Sequence, residues 1–326
     1  MKTPQFWYKK KTLFSLALLP LSGLWLIASY LRNKLKKKHY FDIPIICIGN
    51  AIAGGSGKTP LILELCKHYK NKKISVHVIY KAYKINISNK AMKINKTHTF
   101  EDVGDEPILI SKQATTWVCK KRKDGINAAI SDHADLILLD DGLQDNAILR
   151  NINIIVVNEK QGNGNGLVIP AGPLRERIST SLHKSDCMFF YGDKLIAKKL
   201  FYKYEKKIFT GNIMTDIALL NYIKNKKIIA FAGIAHPDNF FNLLSKYKLK
   251  LIKKIYFPDH YIYSKKEILK IINLSKIQSA KILTTSKDYT KIPDDLKKYI
   301  TVIQINVNFE KKLLLNFINK KIGFNV

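Results

Sequence analysis

The chain has 326 residues, 46% of them hydrophobic and 25% charged, with 56 Lys and Arg against 25 Asp and Glu and a formal net charge of +31. That balance excludes collagen-like, disulfide-framework and wholly disordered classes, and the length suits about two domains with ordinary cores. The charge points to a polyanionic partner, whether nucleic acid, an anionic membrane surface or a phosphorylated substrate, and its sign alone does not choose among them.

Residues 1–39 concentrate this charge in Lys2, Lys9, Lys10, Lys11, Arg32, Lys34, Lys36, Lys37 and Lys38, with no acidic residue. Between the two basic clusters, Leu13 to Leu31 forms an uncharged run of nineteen residues, about the length that crosses a bilayer core. Pro20 and Gly23 weaken a straight spanning helix, and lysines on both flanks give the positive-inside rule no asymmetry to read. A cleaved signal peptide would end at small residues, whereas this run leads into Lys-rich sequence. The expectation is a helix lying in the membrane interface, held by apolar burial and by attraction of the lysines to anionic headgroups; packing on the protein's own core is the alternative.

Residues 43–49, IPIICIG, read as a short buried strand, followed by NAIAGGSGKTP and then by the helical LILELCKHYK. Strand, glycine-rich turn and helix is the setting of a phosphate-binding loop. Gly54, Gly55 and Gly57 let the backbone close around phosphates at the positive end of the following helix. Ile52, Ala53, Gly54, Gly55, Ser56, Gly57, Lys58 and Thr59 are the expected ATP-binding segment, Lys58 reaching the β and γ phosphates and Thr59 ligating Mg²⁺. Ile52 stands where GxxxxGK[ST] has glycine. Ala53 stands where partition-type ATPases carry a lysine, and no Asn-Lys-x-Asp guanine reader occurs, so adenine nucleotide is favoured.

Further along, Asp105 and Glu106 before Pro107 read by themselves as a helix start. DLILLDDGLQ delivers Asp140 and Asp141 from the end of a strand, as a Walker B element delivers a carboxylate to Mg²⁺, with simple capping of the next turn as the alternative. Apolar runs at 76–80, 135–141, 152–158, 187–192, 227–233, 280–286 and 301–307 alternate with helical stretches such as 237–247 and 264–276, which predicts parallel α/β layers. A composition seam near 193–225 divides the chain into a membrane-associated helix at 1–39, a P-loop domain at 40–210 and a smaller C-terminal α/β domain at 211–326. Cys47, Cys66, Cys119 and Cys187 form no CxxC pair and have no His at zinc spacing, and are expected to be buried thiols of a reducing compartment.

In order and spacing, NAIAGGSGKTP, VGDEP (103–107), DDGLQ, IPAGPLRE (169–176) and FPDH (257–260) resemble the tetraacyldisaccharide 4′-kinase family, the lipid A disaccharide kinases, over nearly the whole chain. The resemblance implies an α/β fold with a P-loop NTPase-like parallel sheet flanked by helices. It implies transfer of the ATP γ-phosphate to the 4′-hydroxyl of an acylated glucosamine disaccharide 1-phosphate at the cytoplasmic face of the bacterial inner membrane. It also implies that Asp105 is the base, paired with His260 across 155 positions, that Asp140, Asp141 and Gln144 complete the Mg²⁺ shell with Thr59, and that Arg175 and Glu176 line the site. With Asp105 placed on the first domain and His260 on the second, domain closure is expected to assemble the pair. The family's Ser-Arg-Gly-Tyr stretch is Tyr80, Lys81, Ala82 and Tyr83 here, its histidine after DDGLQ is Asp145, and its Thr-Glu-Lys-Asp is Thr285, Ser286, Lys287 and Asp288. The rival readings are a membrane-associated P-loop ATPase with no lipid acceptor, and a basic nucleic-acid binder, which lacks the aromatic-interleaved basic stripes it would need. No obligate protein partner is implied.

Overall fold

The computed structural model describes residues 4–82, 87 and 89–324; Lys2 and Tyr83 fall outside this set. The strands are β1 (Ile45–Gly49), β2 (Val76–Lys81), β3 (Ala91–Lys93), β4 (Thr115–Cys119), β5 (Leu136–Asp140), β6 (Ile152–Asn158), β7 (Cys187–Tyr191), β8 (Lys207–Thr215), β9 (Lys227–Ala232), β10 (Lys250–Tyr256), β11 (Ala280–Thr285), β12 (Ile300–Ile303) and β13 (Ile305–Phe309). The helices are α1 (Leu13–Ala17), α2 (Leu19–Lys34), α3 (Lys58–Asn71), α4 (Phe100–Val103), α5 (Asp105–Ser111), α6 (Arg122–Ser131), α7 (Ile178–His183), α8 (Lys194–Phe201), α9 (Ile217–Ile223), α10 (Pro237–Lys246), α11 (Lys265–Ile277), α12 (Ser286–Tyr289), α13 (Asp294–Lys297) and α14 (Lys311–Ile322).

Two compact units emerge, one of residues 3–97, 110–213 and 307–326, the other of 98–109 and 214–306. The first is built on a nine-stranded sheet in the order β13-β8-β7-β6-β1-β5-β2-β4-β3. β1 pairs in parallel with β5 and β6, and β3 runs antiparallel to β4. Continuous apolar sequence suits such strands because both faces are covered. Ile46, Ile48, Ile154 and Phe189 point to a core shared with Leu61, Leu65 and Tyr69 of α3 and Leu314 and Ile318 of α14. On the opposite face, Ile155, Val157, Met188 and Phe190 meet Leu182 of α7, Ala197 and Phe201 of α8 and Leu26 of α2. The second unit carries a parallel four-stranded sheet, β10-β9-β11-β12. α10 and α11 pack on it through Phe240, Phe241 and Leu244, and through Ile268, Ile271 and Ile272. Ser264 and Glu267 close a capping box at the start of α11, as the sequence pattern S-x-x-E requires.

The expected boundaries at 40–210 and 211–326 differ from these units in two places. The C-terminal residues 307–326 return to the first unit, because β13 joins the nine-stranded sheet and α14 seals its core. Residues 98–109 group with the second unit, so Asp105 and His260 lie in the same unit, and the expected division of the pair between two domains is corrected. The predicted strand at 301–307 is two strands, β12 and β13, which enter different sheets on either side of Gln304. The seam expected at 193–225 contains β8, which pairs in parallel with β7.

The N-terminal apolar run is likewise not one helix. It breaks at Leu18, and Pro20 falls in the first turn of α2, where a missing N–H costs nothing. No helix among the described residues is long and apolar enough to cross a membrane. Ser22 Oγ donates to Val168 O at 2.8 Å and Trp7 Nε1 donates to Pro170 O at 2.9 Å, which docks this segment on the first unit.

Candidate active site

The phosphate loop leaves β1 at Gly49 and enters α3 at Lys58. Gly54 and Gly57 hold φ of 118° and 92°, a region open to glycine, and a Cβ on Gly57 would come within 2.7 Å of the Tyr191 ring. Tyr191 Oη donates to Gly57 O at 2.8 Å, pinning the loop to the end of β7. Lys58 Nζ donates to Asn50 Oδ1 at 3.2 Å and lies 3.6 Å from Asp141 Oδ1.

The start of the expected ATP-binding segment has another duty. Ile52 is 4% exposed in the core and bridges to Leu174, while Ala53 N donates to Pro173 O at 2.7 Å and Arg175 N donates to Ala51 O at 2.8 Å. Ile52 and Ala53 therefore anchor the loop to the 169–176 segment, which explains a bulky residue where the consensus has glycine. Gly54 to Thr59 remain as the cradle. Ser56 is buried and its Oγ has no hydrogen-bond partner among the described residues.

β5 ends in Asp140, which is 2% exposed, and the chain then turns through Asp141 at φ 54°, a left-handed conformation that Asp tolerates better than most residues. Burial would raise the Asp141 carboxyl, but Lys58, Arg175 and Arg122 outweigh it and hold it well below the usual carboxylate range. Arg175 Nη1 donates to Asp141 Oδ2 at 2.6 Å and to Gln144 Oε1 at 3.3 Å. Gln144 Nε2 donates to Asn50 O at 2.8 Å. Glu176, expected to line the site, is 9% exposed and is held by Ser181 Oγ and Lys184 Nζ at 2.9 and 2.6 Å, so it supports the segment that carries Arg175.

Arg122 was not singled out by its sequence, where it sits in a Lys-rich run that reads as surface. It is 6% exposed and donates to Asp140 O at 3.1 Å, to Asp141 O at 2.7 Å and to Asp145 Oδ2 at 3.0 Å, clamping the acidic turn. Asp145 also accepts from Lys36 Nζ at 2.9 Å. The negative charge that departs from the family's histidine is thus matched by two cations. Lys81 stands exposed at the end of β2.

In the other unit, Asp105 opens α5 and is 6% exposed; its Oδ1 accepts from Glu106 N at 2.9 Å, so the helix-start role read from sequence is also filled. His260 Nδ1 stands 3.1 Å from both Asp105 oxygens. Phe257, Tyr261 and Tyr263 pack edge-on and tilted with ring centroids 4.9 to 5.5 Å apart, around the loop that holds His260 at φ 56°. Burial would raise Asp105, but the His260 hydrogen bond, Lys287 and Lys291 hold it at about 2. The same hydrogen bond raises His260 above its ordinary value against the opposing effect of burial. Lys287 pairs with Glu106, and Lys291, 2% exposed on its side chain, lies 2.9 Å from Asp288 Oδ1 and 3.8 Å from Asp105 Oδ2. Asp288, fully buried, also accepts from Tyr263 Oη at 2.9 Å, Gly233 N at 3.1 Å and Thr285 Oγ1 at 2.7 Å.

A phosphate loop with its lysine beside an acidic turn, and a buried carboxylate paired with a histidine, are the parts a kinase of a hydroxyl acceptor needs. The pattern of the tetraacyldisaccharide-1-P 4′-kinase family matches residues 14–323. The chain belongs to this family. Relatives named tetraacyldisaccharide 4′-kinase include those of Paramagnetospirillum magneticum, 30% identical over 328 residues with 99% of each chain covered, and Rickettsia peacockii, 32% identical over 316 residues with 96% of each covered. The relative of Rhodospirillum centenum is 28% identical over 315 residues, covering 95% of this chain and 94% of its own. In fold the chain is similar to the crystal structure of the "apo" form of LpxK from Aquifex aeolicus in complex with ATP, with a TM-score of 0.77, 24% identity, and 95% and 99% of the two chains covered. The chain is an ATP-dependent kinase of the lipid A disaccharide, and ATP and Mg²⁺ are its cofactors. The expected α/β fold with a mostly parallel central sheet holds.

Proposed function

We propose that Lys58, the loop from Gly54 to Thr59 and the Asp105–His260 pair carry the transfer of the ATP γ-phosphoryl group to the 4′-hydroxyl of tetraacyldisaccharide 1-phosphate. The observation that supports these roles is the Asp105–His260 hydrogen bond in a chain that also holds Lys58 against Asp141. The 4′ oxygen attacks the γ phosphorus, the bond from that phosphorus to the β,γ-bridging oxygen breaks, ADP leaves, and the hydroxyl proton passes to the pair. A sugar hydroxyl is a weak nucleophile, so a positioned base contributes about 10² to 10⁴ in rate.

The geometry supports a division of the work within the pair. Asp105 is buried and occupied by Nδ1 and the neighbouring lysines, and a carboxylate held at about 2 is a feeble base. The His260 side chain is 61% exposed. His260 Nε2 is therefore the atom that takes the proton, with Asp105 fixing the tautomer and stabilising the imidazolium, by the logic of an Asp-His pair.

The donor set fits Mg²⁺. Ser56 Oγ and Asp141 Oδ1 are buried oxygens without hydrogen-bond partners among the described residues, and Mg²⁺ prefers hard oxygen ligands, one or two of them carboxylates, alongside substrate phosphates. Thr59, Asp140 and Asp141 would hold the ion, with Gln144 beside them. Held there, the ion would supply neutralisation of the charge that develops on the β and γ phosphate oxygens. Lys58 does the same from the protein side, and Arg175 holds Asp141 in place.

The exposed apolar residues of α1 and α2, among them Leu13, Phe14, Leu21, Leu24, Ile27 and Leu31, with basic clusters before and after them, support a peripheral anchor in the membrane interface. An acceptor whose acyl chains lie in that membrane explains why a P-loop kinase carries one. ATP supply and the four buried free thiols support the cytoplasmic face. The test uses purified protein in detergent micelles with Mg²⁺, labelled ATP and tetraacyldisaccharide 1-phosphate. Label in the lipid that collapses in His260→Ala and Asp105→Ala supports the roles; ATP consumption that is equal with and without lipid, with no labelled lipid, returns the chain to the ATPase reading.

A further inference from the structure

We propose that α8 is a second membrane-contact helix, and that it docks on an anionic phospholipid surface together with α2. This rests on the membrane-surface reading of α1 and α2 and names a further part of the same surface.

α8 packs on the sheet through Ala197 and Phe201, which are four residues apart and so lie on one helix face, and the Phe201 ring meets that of Phe190 at 6.4 Å. On an ordinary surface helix the remaining positions would be polar. Here Leu195 is 74% exposed, Leu200 50% and Ile196 39%, and Tyr202, just past the helix, is 68% exposed. Lys194, Lys198, Lys199 and Lys203 stand among them; the acidic groups beside the helix are its N-cap Asp193, whose carboxylate accepts from Leu195 N and Ile196 N at 2.7 and 3.2 Å, and Glu310, 3.6 Å from Lys194. Apolar side chains set among lysines make the pattern of an interfacial helix, in which hydrocarbon enters the headgroup boundary and ammonium groups meet lipid phosphates.

Placement supports one partner for both helices. Leu26 of α2 packs against the same hydrophobic cluster as Ala197 and Phe201, on one face of the nine-stranded sheet. Both helices thus meet this cluster, and each leaves apolar residues exposed, Leu24 and Ile27 on α2 and Leu195 and Leu200 on α8. A flat, anionic, partly apolar partner can meet both. Two separate contacts also fix the tilt of the unit on the surface, which a single helix leaves free to rotate.

Because the four native cysteines are buried, Leu195→Cys and Leu200→Cys can each be labelled selectively with an environment-sensitive fluorophore in the full-length protein. Leu313→Cys on α14, which packs on the opposite sheet face, is the control. With vesicles of phosphatidylglycerol and phosphatidylcholine, labels at 195 and 200 should brighten and shift to the blue while the label at 313 does not. Binding of Lys198→Glu/Lys199→Glu to these vesicles should weaken about ten-fold or more, while lipid phosphorylation in detergent micelles stays unchanged. Substitutions Leu24→Asn/Ile27→Asn on α2 serve as the reference. If they release the protein from vesicles and the α8 variants do not, the second contact is overturned and the α2 anchor stands. Should neither set weaken binding, the membrane reading itself falls. An equal response on phosphatidylcholine alone, or a dimer in vesicle-free solution that Leu195→Asn/Leu200→Asn dissociates, would also overturn the proposal.

Discussion

In the proposed mechanism His260 gains its strength as a base from Asp105, and this has a pH signature. A histidine accepts a proton only when neutral, and Asp105 raises its pKa above the ordinary 6.5. The rate at limiting lipid should therefore climb with pH through a midpoint above that value. In Asp105→Asn the climb should move to lower pH as the maximal rate falls. Initial rates across pH 5 to 9 in both proteins check this, and a midpoint that stays put in the variant would remove Asp105 from the role. His260→Ala should lower kcat by about 10² to 10⁴ with little change in KM for ATP. Lys291 tests the support beneath the pair. Lys291→Met leaves Asp288, fully buried, without its cation and should destabilise the protein by about 3 kcal/mol in denaturant unfolding. Lys291 was invisible as a partner of Asp105 in sequence, since the two are 186 positions apart and only the fold of the second unit brings them to 3.8 Å.

At the scale of elements, the 169–176 segment ties three others together. It bridges to the phosphate loop at Ile52, reaches the acidic turn through Arg175, and accepts from Trp25 of α2 at its own Arg175 carbonyl, 2.9 Å away. Asp145 makes a parallel link, joining Lys36, just beyond α2, to Arg122. Burial opposes its ionisation, but Lys36 and Arg122 pull its pKa down from 3.8 to about 2. A depressed carboxylate stabilises the folded state fully above its unfolded pKa and loses that contribution as pH falls through the folded one. Asp145→Asn should accordingly cost about 2 kcal/mol at pH 7, a difference that shrinks between pH 4 and pH 2 in denaturant titrations. β1, β5, β6 and β7 were legible because buried parallel strands are continuous apolar runs. β8 and β10 were not, since Thr210, Gly211 and Asn212 interrupt the apolar run of the first and Lys250, Lys253 and Lys254 that of the second; most positions of β10, an edge strand, face solvent.

For the whole molecule, the phosphate loop belongs to one compact unit and the Asp105–His260 pair to the other. Ligand binding stabilises the unit that holds it, so ATP with Mg²⁺ at about a hundred times its Kd should add about 3 kcal/mol to the P-loop unit. Calorimetry with and without nucleotide checks this; Lys58→Met should lose the shift. Equal stabilisation in that variant would argue that the nucleotide binds elsewhere. The excess positive charge gives vesicle binding a salt dependence, and exposed lysines on α8 should lose most of their effect as the screening length falls from about 10 Å at 0.1 M to about 3 Å at 1 M salt.

Sequence alone determined the phosphate loop, the acidic turn and the parallel α/β class, because each depends on local patterns: glycines that free the backbone, carboxylates at strand ends, apolar runs of strand length. The Asp105–His260 candidates came from the resemblance to the kinase family, since locally Asp105 reads as a helix start. Tertiary structure decided what depends on distant partners. It placed 98–109 beside 214–306 and returned β13 and α14 to the first sheet, since backbone pairing and core closure are satisfied by whichever surfaces meet, not by neighbours in the chain. It turned Ile52 from a consensus mismatch into a core contact, made Arg122 the clamp of the acidic turn and gave Asp145 two cations. Charge and burial take their meaning from what lies within a few ångströms, and that is set only when the chain has folded.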